Sequence, residues 1–406
     1  MGKFTSDFYP PRRYLPLVRL AQILAPVWAI LAQQIWLEVD TESKKLLTEL
    51  QGQRLLILPN HPTFQDPVIT FLLSGVMGQA YYYLSALELF DSPLASFFQG
   101  LGVYSIRRGL SDRPSIAQTI DLLTQPGCHL VIFPEGGCSF QNDTVMPFRS
   151  GALQLAMQAL NRFAKQGDAL PDLYCVPIAI KYRYQNEMQP VIRRTLTRLE
   201  QGLKLPVKPM ADEYQRLRMI SQRVLQQIEQ DYELHTPDVL QQPWNQRITR
   251  LREEVLSRCE QSLGLPTNPH EGLRERTYRI QDTLKQRQDA LESEDAIPTT
   301  GLMDYQLLEK SVKRLLNFEA IYDGYVAEKP TSERFLDTLV RLEREVFDVD
   351  QPAPKSLRKA LLKAGEPVNL KDWFEPYRRD RIATINHLTL KIQQGVQTNL
   401  DRLNET

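Results

Sequence analysis

Short, almost wholly apolar runs at 54–59, 80–85, 102–106, 128–133 and 174–182 alternate with segments of helical period at 66–75, 111–125 and 149–165. Strands of that length with few polar interruptions are covered on both faces. The expected fold class is therefore α/β, a mostly buried mixed sheet flanked by helices. In such sheets ligands gather beyond the strand ends. Two runs deliver polar turns to such ends. Leu55-Leu56-Ile57-Leu58 leads into Asn60-His61-Pro62-Thr63-Phe64-Gln65-Asp66, and Leu130-Val131-Ile132-Phe133 leads into Pro134-Glu135-Gly136-Gly137-Cys138-Ser139.

The first turn carries an imidazole and a carboxylate with four residues between them. An imidazole titrates near ~6.5, so it accepts a proton at neutral pH, and a neighbouring aspartate fixes its tautomer and steadies the imidazolium. That is the composition of a general base. Read alone, His61 is also an ordinary turn residue, and Asp66 before Pro67 is a good helix cap.

Taken with Gly102-Val103-Tyr104-Ser105-Ile106-Arg107-Arg108 and with Val176-Pro177-Ile178-Ala179-Ile180, the two turns resemble the glycerolipid acyltransferase family over roughly residues 35–195. Four motifs occur in the family's order. The resemblance implies that His61 is the base and Asp66 its partner in the H-x-x-x-x-D element. It places Arg108, with Arg107 beside it, where the acceptor phosphate binds. Glu135 and Gly136 match the F-P-E-G block, and Val176 and Pro177 match the block on the acyl-donor side. The family usually continues F-P-E-G with Thr-Arg-Ser, whereas this chain has Gly137-Cys138-Ser139, so Cys138 replaces an arginine. Ser85 and Ala86 stand where a basic residue commonly precedes the Glu-Leu-Phe at 88–90.

The implied reaction carries a fatty acyl group from a thioester, acyl-CoA or an acyl carrier protein, to a hydroxyl of a glycerolipid acceptor such as lysophosphatidic acid. The acyl donor is a substrate, and no metal or redox cofactor is expected because a thiolate leaves readily. Backbone amides near Gly136 and Gly137 are candidate oxyanion donors. Arg149 and Lys181 join Arg107 and Arg108 as candidate phosphate ligands, since guanidinium groups bind phosphate bidentately. Other readings stand beside this one. Cys138 or Ser139 near Glu135 and His61 would suit a thioesterase or acyl hydrolase. A lipid-binding protein without activity, or a scaffold built on the helical half, would keep the fold and use it differently.

Lys+Arg and Asp+Glu both total 49, which gives nucleic acid no global charge to bind. Cys128, Cys138, Cys175 and Cys259 show no paired metal spacing and no disulfide framework, as expected in a reducing compartment. No motif here sets an oligomeric state.

Residues 1–40 form the first expected region, helical and apolar. Arg19, Gln22, Gln33 and Gln34 interrupt Tyr14–Val39 and Pro26 divides it, which makes a poor membrane span. Trp28 and Trp36 with Arg12, Arg13 and Arg19 fit an interfacial anchor, and a helix packed on the sheet fits nearly as well. No cleavable signal peptide is expected. The localisation implied is the cytoplasmic side of a membrane, peripheral or monotopic. Residues 41–204 are the expected catalytic α/β domain, in which the apolar cluster at 86–101 reads as core, with the border of an acyl-chain tunnel or a bilayer contact as the alternatives. Residues 205–406 are expected to be an all-α region. Its charged segments of helical period run over 211–234, 243–263, 270–293, 302–328, 332–347 and 371–403, with breaks at Pro206, Pro209, 265–269, Ile297-Pro298 and 351–354.

Overall fold

The computed structural model describes residues 8–206, 212–268, 271–291 and 304–405. The expected breaks at Pro209, Pro269 and Ile297-Pro298 lie outside these residues. The chain divides into two compact units. One comprises residues 1–106, 112–186 and 356–406, and the other residues 107–111 and 187–355.

The first unit is α/β, as its alternating pattern requires. Its strands are β1 (Ile35–Val39), β2 (Arg54–Pro59), β3 (Tyr82–Ala86), β4 (Val103–Ile106), β5 (His129–Val131), β6 (Leu173–Tyr184), β7 (Arg358–Ala364) and β8 (Val368–Asn369). They form one mixed sheet in the order β1-β7-β6-β2-β5-β3-β4, with β8 pairing to β6. Neighbours are parallel except where β7 and β8 run against β6. The five expected strands are all present, with ends shifted by a few residues.

Both faces of the sheet are covered, which is why β2 reads as an unbroken apolar run. Leu56 and Leu58 enter the core that contains the helix Gly151–Gln166 and the C-terminal helix Arg381–Glu405. Leu55 and Ile57 enter the opposite core with Ile69 and Leu73 of the helix Asp66–Val76. This alternation is the two-residue period of a strand expressed across two hydrophobic layers.

Two expectations need correction. The N-terminal region is not helical up to residue 40, because the helix Leu15–Gln33 ends at Gln34 with φ 51° and Ile35–Val39 is strand β1. Trp36 therefore lies in the sheet and not on an anchor helix. The all-α region beginning at 205 is also interrupted. Arg358–Ala364 is a strand inserted between β1 and β6, and the C-terminal helix packs on β6, so residues 356–406 belong to the sheet unit. The Lys-bearing run Arg358-Lys359-Ala360-Leu361-Leu362-Lys363-Ala364 has no clean alternation, and its burial comes from its partners.

The second unit is helical, with Gln189–Gly202, Glu213–Asp231, Trp244–Leu263, Leu273–Leu291, Tyr305–Asn317 and Ser332–Phe347 as its longer helices. Its charges are not all solvated. Arg216 makes a bidentate pair with Glu200 at 2.8 and 2.7 Å, Arg247 with Glu229 at 2.8 and 2.7 Å, and Arg276 with Glu260 at 2.8 and 2.6 Å. Each pair joins successive long helices, and the glutamates are buried. A buried guanidinium–carboxylate fork tolerates little slip, so these pairs set helix register more than they add stability. The unit also holds a partly open apolar pocket of about 120 Å³, lined by Leu217, Leu225, Trp244, Leu251 and Phe318 among others. None of the motif residues singled out in the sequence lines it.

Candidate active site

β2 and β5 are parallel neighbours, with Leu55 opposite His129 and Ile57 opposite Val131. Their following turns therefore emerge at the same edge of the sheet. The His61 amide donates to a Glu135 carboxylate oxygen at 2.9 Å, and the Ser139 amide donates to the His61 carbonyl at 2.8 Å. Asn60 anchors the first turn to β6. Its side chain donates to the Ile180 carbonyl at 3.0 Å and accepts from the Ile180 amide at 2.7 Å.

Asp66 opens the helix Asp66–Val76 and is fully buried. One carboxylate oxygen lies 2.7 Å from His61 Nδ1 and accepts from the Thr63 amide at 2.8 Å. The other accepts from the Thr63 hydroxyl at 3.0 Å and the Tyr182 hydroxyl at 2.7 Å. A carboxylate held by these donors points one way. With Nδ1 facing Asp66, Nε2 is left for chemistry. Phe133 backs the imidazole, ring centroids 4.4 Å apart.

Cys138 stands against the same ring, its Sγ 3.6 Å from Nε2 and 3.8 Å from Nδ1. Burial disfavours the imidazolium, but the Cys138 sulfur and the Asp66 carboxylate outweigh it, and His61 is held well above the ordinary imidazole value. Burial, reinforced by Asp66 and opposed by Arg358, raises the Tyr182 phenol well above its usual value, so Tyr182 remains a donor.

The other candidates are distributed unevenly. Gly136 has φ +75°, and a Cβ there would come within 2.9 Å of the Arg149 guanidinium, so glycine lets Arg149 lie directly on the turn. The Arg149 amide donates to the Pro134 carbonyl at 2.8 Å. Gly137 lies between them and the sulfur in the same turn. Ser139 braces backbone, its hydroxyl donating to the His61 carbonyl at 3.3 Å. Lys181 is buried and ion-paired with buried Asp143, so its charge is already matched. Val176 is core, paired with Ile57, and Pro177 sits against Gly365 and Gly395. Their burial makes them structural supports of β6. Arg107 and Arg108 leave the end of β4 and group with the helical unit, where the Arg108 guanidinium stacks over Tyr278 at 4.3 Å and donates to its hydroxyl at 3.1 Å.

Several contributors carry no motif. Tyr182 reaches Asp66 from β6, and the one available hint is that a tyrosine in a buried strand needs a partner for its hydroxyl. Arg358 on β7 donates to Gln65 at 3.3 Å and lies over the Tyr182 ring at 4.7 Å. From the C-terminal helix, Gln397 accepts from the Val145 amide and Gln393 from the Phe148 amide, each at 3.0 Å. Asn142 ties the same loop to β6 through two 2.7 Å bonds with Tyr182 backbone. These pairings span more than two hundred residues in the case of the glutamines, and no local pattern announces them.

The site is thus an imidazole held by a buried carboxylate at the strand ends of an α/β sheet. Residues 39–181 match the family model described as Acyltransferase, so this part of the chain is an acyltransferase-family domain. The match contains the His61, Glu135 and Val176 motifs and ends at Lys181. No curated protein matches the chain.

Proposed function

We propose that the protein moves a fatty acyl group from a thioester donor, acyl-CoA or an acyl carrier protein, to a hydroxyl of a glycerolipid acceptor, with lysophosphatidic acid or a related lysophospholipid as the acceptor class. The observation that carries this reading is the 2.7 Å contact between His61 Nδ1 and the buried Asp66 carboxylate. His61 takes the hydroxyl proton as the oxygen attacks the acyl carbon, and Asp66 holds the imidazole and steadies its charge. General-base assistance of this kind supplies about 10²–10⁴-fold. Positioning two large substrates supplies much of the rest.

For an anionic headgroup, Arg149 lies against the Gly136 turn and Arg358 reaches Gln65 beside Asp66, and Lys181 is set aside by its pairing with Asp143. Peripheral or monotopic attachment to the cytoplasmic face of a membrane fits the N-terminal helix Leu15–Gln33, which by length and composition is long and apolar enough to cross a membrane. Ile23, Leu24, Val27, Trp28, Ile30 and Leu31 are exposed on it, while Gln22 docks it to the body through Ser74 at 2.9 Å and the Gln79 carbonyl at 2.7 Å. Exposed Phe97 lies on the helix Ala95–Gly100, with exposed Leu94 at its N-cap, and the Gly100 carbonyl accepts from the Tyr14 amide at the start of the N-terminal helix. Apolar exposure of this extent suits a lipid surface.

The test is acyl transfer by purified protein across a panel of lysophospholipid, glycerol 3-phosphate and neutral acceptors with both donor types, beside His61→Ala. Transfer to one acceptor class that His61→Ala loses supports the proposal. Transfer unchanged in His61→Ala overturns it.

A further inference from the structure

Cys138 occupies a position that direct attack by the acceptor leaves without a task. Its sulfur lies 3.6 Å from His61 Nε2 and 3.8 Å from Nδ1 while Asp66 grips Nδ1 at 2.7 Å, so thiol and carboxylate both contact the same imidazole. A thiol so placed is activated by the base that touches it, and the base is oriented by a third group. The other cysteines lack this setting. Cys128, Cys175 and Cys259 are buried, and burial is the main cause that raises all three thiols, Cys128 to about 12 and Cys259, with help from Glu260, to about 11. Cys138 is only partly covered and sits in the glycine-bearing turn at the sheet edge.

We propose that Cys138 is a catalytic nucleophile that carries the acyl group as a thioester before it reaches the acceptor. This rests on the acyl-transfer reading above and deepens it. In the first half, Sγ attacks the donor thioester carbonyl as the thiol proton passes to His61 Nε2. The bond from the acyl carbon to the donor sulfur breaks, and the donor thiolate leaves with that proton. In the second half, the acceptor hydroxyl gives its proton to His61 and attacks the same carbon. The bond to Cys138 breaks, the sulfur recovers the proton, and an ester is formed. Thioester and alcohol have become ester and thiol, with no oxidant, reductant or metal consumed. Exchanging one thioester for another leaves the acyl group as reactive as before, so the relay does not lower its transfer potential. It divides the reaction so that the donor can leave before the acceptor arrives.

The experiment incubates the full-length protein with palmitoyl-CoA, and separately with palmitoyl-acyl carrier protein, without acceptor. Intact mass and peptide mapping then locate any adduct. The expected result is one palmitoyl group per chain on Cys138, formed at least as fast as turnover, released by neutral hydroxylamine, and discharged onto lysophosphatidic acid in a chase. Cys138→Ala and His61→Ala should not acquire it. Cys138→Ser, which preserves shape, should lose transfer by about 10³-fold or more, as when one member of a catalytic triad is removed. Double-reciprocal plots for the parent should be parallel. Transfer at the parental rate by a Cys138→Ala protein of unchanged melting temperature overturns the covalent step and leaves His61 acting directly. Absence of adduct from both donors, with transfer intact, overturns it as well. Palmitate that loads onto Cys138 and is released only to water upholds the nucleophile and overturns the acceptor reading instead.

Discussion

The His61 amide donates to the Glu135 carboxylate at 2.9 Å, which fastens together two turns that are 74 residues apart in sequence. Glu135 therefore braces the His61 turn. Glu135→Gln keeps an oxygen acceptor and should retain most activity. Glu135→Ala should cost about 1–3 kcal/mol of stability by leaving the amide unmatched, and should lower kcat more than it raises KM. Denaturant unfolding and steady-state kinetics on the two variants check this, and equal loss in both would refute it.

Tyr182 should behave as a positioning residue. Tyr182→Phe removes the 2.7 Å donor to Asp66 but leaves the His61 and Thr63 contacts. A loss of about 0.5–1.5 kcal/mol in stability is expected from one hydrogen bond, with a lower kcat and a nearly constant KM. Asp66→Asn should be far more damaging to kcat, by about 10²–10⁴-fold, because the imidazole loses both its orientation and its counter-charge.

The titration of His61 can be followed directly by NMR. Its folded value is raised above the ordinary imidazole value, so the folded state holds the proton more tightly than the unfolded chain does. The stabilisation from this group is thus complete below an unfolded value near ~6.5 and disappears as pH rises through the higher folded value. Removing the sulfur in Cys138→Ala, or the charge in Asp66→Asn, should move the midpoint downward, since burial alone lowers it. An upward shift in either variant would contradict the assigned causes.

The helical unit should be removable where its ends meet. The Asn186 side chain donates to the Ser356 hydroxyl at 2.9 Å, and the Gln185 amide to the Leu357 carbonyl at 3.2 Å. Replacing 187–355 by a short polar linker should leave an α/β unit that melts cooperatively. Ending the chain at 205 should not. That truncation removes buried Ala360, Leu362, Ile385, Leu388, Ile392, Val396 and Leu400. The larger of these side chains contribute roughly 1.5–3 kcal/mol each, against a total domain stability of about 5–15 kcal/mol. A folded 1–205 fragment in circular dichroism and calorimetry would disprove the assignment of β7 and the C-terminal helix to this unit.

Vesicle sedimentation tests the N-terminal helix. Ile23 and Leu31 are 72% and 77% exposed. Ile23→Glu with Leu31→Glu should release the protein from anionic vesicles while leaving the melting temperature unchanged. Undiminished binding would locate the membrane contact elsewhere.

The sheet was legible in the sequence because strands covered on both faces leave an unbroken apolar run, as β2 and β6 do. Helices such as Asp66–Val76 and Gly151–Gln166 were legible through local period. The His61 and Asp66 pairing was legible too, being five residues apart. Arg358–Ala364 was not, because a strand between two others takes its burial from its neighbours and shows little of it in its own pattern.

By itself, then, the sequence determined the layers and the pairing of His61 with Asp66, which rest on interactions within a few residues. Tertiary structure alone decided that residues 356–406 complete the sheet, that Lys181 is bound to Asp143, that Arg108 stacks on Tyr278, and that the charged helices bury forks such as Arg216 with Glu200. It also decided that Cys138, met in the sequence as a missing arginine, stands 3.6 Å from the base. Contacts between distant residues depend on which surfaces the folded layers bring together, and a charge or thiol has the same local pattern whether it ends in solvent or against an imidazole.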